Sequence, residues 1–125
     1  MTLLEECIKH LDKFSQVYSK DVSSRLFDEF QNDFPFTSFG RIDWDKIKKK
    51  QTVSNLKSVF NEFDTEDCFI FWDEESLPVI KSEVRQVIKF LDDVLAVSFD
   101  TWILSSSHTR VVEFYHEGQI TIGYR

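Results

Sequence analysis

The sequence predicts an α+β fold in which an antiparallel sheet of about four strands packs against N-terminal and intervening helices. Three observations predict it. The first third of the chain places apolar residues at helical spacing, and residues 95–125 switch to a period of two. Between them stands one unbroken apolar stretch, CFIFW, from Cys68 to Trp72. Helices first, then strand, helix and a three-strand meander, is an order that lays helices mainly on one face of an antiparallel sheet. At 125 residues the chain reads as a single globular domain, residues 1–125, long enough for one real core.

Taken in order, Thr2 and Glu5 form a Thr-x-x-Glu capping box that starts a helix. Leu4, Cys7, Ile8, Leu11, Phe14 and Tyr18 give it one apolar face as far as about Ser19. Asp21 or Ser23 can cap a second helix, with Val22, Leu26, Phe27 and Phe30 inward. It stops at Asp33-Phe34-Pro35, because the residue before proline avoids helical geometry. Residues 36–51 are harder to assign. They suggest a short strand around Ile42 and Trp44 and, in Lys46–Lys50, the exposed side of a helix start. Thr52 can cap a helix carrying Val53, Leu56, Phe60 and Phe63, and Asp64 to Asp67 read as a turn.

CFIFW reads as a buried strand, followed by the acidic triplet Asp73-Glu74-Glu75 and Pro78. Ser82 then opens a helix with Val84, Val87, Ile88 and Leu91 inward. From Leu95 the alternation puts Val97, Phe99, Thr101 and Ile103 on one face. Ala96, Ser98, Asp100, Trp102 and Leu104 fall on the other. RVVEFYHEGQITIGYR is a hairpin turning at His116-Glu117-Gly118, with Ile120, Ile122 and Tyr124 on one face of its last strand. That strand could form an edge and pair between subunits, so monomer and homodimer both stay open.

Composition excludes several functions. The chain is 42% hydrophobic and carries 13 phenylalanines, which argues for a packed core rather than disorder. No apolar run approaches the roughly 20 residues of a membrane helix, and the early acids of MTLLEECIKHLDKF do not make a secretory signal. Cys7 and Cys68 sit in apolar segments and read as buried thiols of a cytoplasmic protein, not as a disulfide or a zinc set. Residues 1–60 hold 9 acids and 10 bases, whereas residues 61–125 hold 13 acids and 5 bases, a balance of −8. The acidic half is the wrong sign for phosphate backbones and the right sign for a basic protein.

The sequence offers little chemistry. Asp73, Glu74 and Glu75 are consecutive, so their side chains diverge instead of converging on a substrate or metal. They read as a solvated turn or as part of a docking surface. HExxH, GxSxG and P-loop patterns are missing, and Ser105–Ser107 beside His108 reads as a loop between strands. Lys48–Lys50 are consecutive and would spread around a helix, which does not make a nucleic-acid stripe. No cofactor or metal is expected.

The last strands carry the one positive signal. If Val97, Phe99 and Ile103 meet the helices, then Asp100, Trp102, Glu113 and Tyr115 line the open face of the sheet, where aromatics anchor and carboxylates steer a partner. The competing reading is a second layer of core beneath residues 36–51. In this region VSFDTWIL and VVEFYHEGQITIG resemble the small immunity proteins of bacterial polymorphic-toxin and contact-dependent inhibition systems. The resemblance implies a small, cytosolic, non-enzymatic protein that binds a cognate toxin domain, frequently a basic nuclease, and blocks its active site or a neighbouring surface. Independently of the resemblance, the charge balance and the strand alternation make Asp73, Glu74, Glu75, Asp100, Trp102, Glu113 and Tyr115 the candidate partner-binding residues. An adaptor or scaffold module with no inhibitory role, and a small enzyme with an acidic site, are the competing readings.

Overall fold

In a computed structural model, which describes residues 1–54 and 66–125, seven strands form one antiparallel sheet. They are β1 (Ser15–Val17), β2 (Lys49–Thr52), β3 (Asp67–Trp72), β4 (Ile80–Glu83), β5 (Thr101–Ser105), β6 (Arg110–Phe114) and β7 (Ile120–Tyr124). Their order across the sheet is β1-β4-β3-β5-β6-β7-β2. The described helices are α1 (Leu3–Leu11), α2 (Lys20–Asp33), α3 (Val84–Lys89) and α4 (Leu91–Leu95). The expectation of about four strands is therefore too low. The three additional strands, β1, β2 and β4, are only three or four residues long and too polar to announce themselves.

The centre of the sheet is apolar on both faces, as the unbroken run CFIFW requires. Cys68, Ile70 and Trp72 of β3 point to one side, with Ile80, Ile103, Val112 and Ile122. There they meet Cys7 and Leu11 of α1, Val84 and Val87 of α3, and Leu91 and Val94 of α4. Phe69 and Phe71 point to the other side with Trp102, Leu104 and Val111, under Phe30 and Phe34 at the end of α2 and under Ile42 and Ile47. Three of the four described helices thus cover one face, and α2 with residues 34–47 covers the other. Burying large side chains such as Phe30, Phe71 and Trp102 contributes about 1.5–3 kcal/mol each relative to exposure.

Local signals explain most boundaries. The Thr2–Glu5 capping box is formed. α1 ends at Leu11, well before Ser19, because Asp12 turns to a φ of +50° and the chain enters β1 along β4. The cap of α2 is Ser19, whose hydroxyl accepts the Val22 N–H, and not Asp21 or Ser23. Ser23 instead turns inward, accepting the Val79 N–H at 2.9 Å. Ser82 lies in β4, so the helix predicted to start there starts at Val84. Lys46–Lys50 run from a 3₁₀ turn, Trp44–Lys46, into edge strand β2, which replaces the expected helix start. Thr52 ends β2; the expected helix through Leu56, Phe60 and Phe63, and Asp64 of the expected turn, lie outside the described residues.

The hairpin turns where predicted, with Gly118 at a φ of +95° that a glycine adopts without strain. β7 is not an edge, since β2 pairs along its outer side. Ile120, Ile122 and Tyr124 share the face of α1, and Gly123 on the opposite face lets the Trp44 ring lie against the backbone.

Candidate partner-binding surface

Three loops leave the sheet at the same end. The register pairs Trp72 with Thr101, Thr101 with Phe114, and Phe114 with Ile120. Residues 73–79, 96–100 and 115–119 therefore emerge side by side. Asp73, Glu74, Glu75, Asp100 and Tyr115 of the predicted site all lie on them.

Asp73 and Asp100 are held rather than loose. Asp73 Oδ1 accepts the Ser98 hydroxyl at 2.6 Å and the Asp100 N–H at 3.1 Å. Ser98 Oγ is also 3.3 Å from Glu74 Oε1. Asp100 Oδ1 in turn accepts the His116 N–H at 2.7 Å and lies 3.0 Å from His116 Nδ1. Around this chain stand aromatic rings. His116 lies tilted against Tyr115, ring centroids 4.3 Å apart, and meets the edge of Phe99 at 6.3 Å. The Arg41 guanidinium lies 3.9 Å over the Tyr115 ring. Phe99 is 77% exposed, a large apolar group standing among carboxylates.

Phe99 was expected to point inward on a strand beginning at Leu95. Helix α4 runs through Leu95, so residues 96–100 are a loop and the ring faces solvent. His116, Ser98 and Phe99 are the members of this surface that sequence reasoning missed. The polar Ser98 and Asp100 on either side of Phe99 were the available signal.

Trp102 and Glu113 stand elsewhere. Each is 1% exposed, directly opposite the other in the β5–β6 register, and Trp102 Nε1 donates to Glu113 Oε2 at 3.0 Å. The expected open face is covered by α2 and residues 34–47, so these two residues form a buried layer and not an exposed patch. The Glu113 carboxylate also accepts Arg41 Nε at 3.1 Å and Nη2 at 2.6 Å, Trp44 Nε1 at 3.0 Å and the Ile42 N–H at 3.1 Å. A buried carboxylate is tolerated only when its lone pairs and charge are met in this way. Glu113 thus ties residues 41–44 to the sheet and, through Arg41, supports Tyr115 from below.

The arrangement supplies acceptors and apolar contact. The Ser98 hydroxyl donates to Asp73, and His116 is bonded to Asp100. In the loop SSSHT, Ser105 Oγ accepts the N–H groups of Thr109 and Arg110, while His108 Nδ1 faces Asp33 at 2.5 Å. Among the described residues no group of three or more His, Cys, Asp or Glu is placed to hold a metal ion. No helix among them is long and apolar enough to cross a membrane. Both cysteines are buried free thiols. Burial, and then the Asp93 carboxylate, push Cys7 up to about 11; burial and then Asp67 push Cys68 up as well.

Residues 1–123 match the family described as CdiI immunity protein, EcoliA0-like. The chain belongs to this family of immunity proteins. The match covers nearly the whole chain, whereas the resemblance visible in the sequence was confined to the C-terminal third. An immunity protein of this kind neutralises a toxin. Comparison with curated proteins finds no match.

Proposed function

We propose that this immunity protein is a non-enzymatic, cytoplasmic inhibitor that binds a basic, nuclease-type toxin domain through the loop end of its sheet. The observation that carries this reading is that Asp73, Glu74, Glu75, Asp100 and the exposed Phe99 lie on adjoining loops at one end of the sheet. Carboxylates on neighbouring loops sum to a field that steers a cationic partner, with on-rates that can reach ~10⁸–10⁹ M⁻¹s⁻¹ at low salt. Phe99 and Tyr115 then supply the apolar contact that slows dissociation. Trp102 and Glu113, the buried members of the predicted site, act by holding this surface in shape.

The test is co-expression with the toxin domain encoded immediately upstream, followed by stopped-flow association. Wild-type protein should rescue growth. Reversing the charges of Asp73, Glu74 and Glu75 should slow association, with a larger effect at low ionic strength. An on-rate unchanged at low salt removes the triplet from the mechanism, and failure to rescue removes the toxin assignment.

A further inference from the structure

Beside the loop end, α2 and the β3–β4 loop enclose a groove of 310 Å³. One wall is a single stripe of α2, formed by Lys20, Ser24, Phe27, Asp28 and Gln31. The other is the acidic triplet followed by Leu77, Pro78 and Val79. Phe27, Leu77 and Pro78 are half-buried, so an apolar surface remains within reach of an occupant. Four carboxylates, Asp28, Asp73, Glu74 and Glu75, face a single ammonium, Lys20. Among the described residues none of the four has a cationic partner.

We infer that this groove seats an extended, Arg- or Lys-bearing segment of the toxin domain, an inference that rests on the function proposed above. Lysine and arginine have an apolar stem and a charged head, and the groove offers the matching pair of surfaces: rings and proline to cover the stem, carboxylates to meet the head. From Lys20 to Gln31 the helix rises ~16 Å, the reach of about five extended residues. The volume lies at the low end of ligand clefts, ~300–1,000 Å³, which suits one or two inserted side chains rather than a folded element. One wall is also pre-set, because Asp73 is already fixed by Ser98 and the Asp100 N–H.

The test compares two exposed acids adjacent on α2. Asp28 lines the groove and Glu29 does not. With the toxin domain encoded upstream as probe, Asp28→Asn should raise Kd about fivefold or more and Glu29→Gln less than twofold. Ser24→Trp, which fills the groove from an exposed helical position, should raise Kd at least about tenfold, with unchanged circular dichroism. A photocrosslinker at position 24 should capture a toxin segment containing Arg or Lys. Equal effects of Asp28→Asn and Glu29→Gln, an unchanged Kd for folded Ser24→Trp, or capture of a segment lacking basic residues would overturn the groove assignment. If the wild-type protein still binds and charge reversal at residues 73–75 still slows association, the proposed function stands without it. If the wild-type protein does not bind the toxin, both fall.

Discussion

Replacing Glu113 by alanine removes the acceptor for five donor groups at once. The Trp102 indole and the Ile42 N–H are fully buried and would have no route to water. Leaving a buried donor unsatisfied costs about 1–3 kcal/mol, so these two alone account for about 2–6 kcal/mol. Arg41 is 27% exposed at its side chain and can partly rehydrate, so its loss adds less than the ~3–5 kcal/mol of a fully buried broken pair. The groups share one carboxylate and their losses do not add, which gives an expected destabilisation of about 4 kcal/mol. For a chain of this length that is on the order of 12–20 °C in Tm. Urea unfolding followed by tryptophan fluorescence measures it. Glu113→Gln should lie between wild type and alanine, since its carbonyl still accepts while its amide opposes a donor. A loss below about 1 kcal/mol for Glu113→Ala would show that residues 41–44 do not depend on this carboxylate, and would refute the reasoning.

Two further outcomes are expected. A Cβ at Gly123 would lie 2.5 Å from Cζ3 of Trp44, so Gly123→Ala should cost about 1–3 kcal/mol by displacing that ring, and Trp44→Leu in the same background should recover part of it. Cys7 holds its proton to about pH 11 in the folded chain against 9.0 unfolded, so folding contributes stability that is complete below pH 9 and lost as pH rises through 11. The stability difference between wild type and Cys7→Ala should therefore narrow over that window, and a difference constant from pH 8 to 11 would contradict the burial of this thiol.

What could be read from the sequence was local. The Thr2–Glu5 box, the stop before Pro35, the apolar run of β3 and the Gly118 turn each rest on residues within a few positions of one another. The strands β1, SQV, and β2, KKQT, carry no period of their own, and their partners lie roughly 63 to 75 residues away. Ser82 before an apolar helical stripe looks like a cap, and only its pairing with Cys68 makes it a strand residue. At the candidate surface the sequence left two readings open for Trp102 and Glu113, an open face or a second layer of core, and both residues are buried. The guanidinium that makes a buried Glu113 tolerable comes from residue 41, in the segment whose sequence was least informative.

Both outer strands of the sheet come from the first 52 residues, and everything between them comes from residues 67–124. During synthesis β2 leaves the ribosome roughly 70 residues ahead of the strand that must receive it. At about 5–20 residues per second that is a wait of roughly 4–14 s. Throughout it the KKQT segment offers lysines and no apolar side chain to neighbouring chains, which keeps an unpaired strand from finding the wrong partner. Final closure of the sheet is thus a late event, set by the emergence of Thr121–Tyr124. Shortening the hairpin that carries them would leave an otherwise complete protein open along one side.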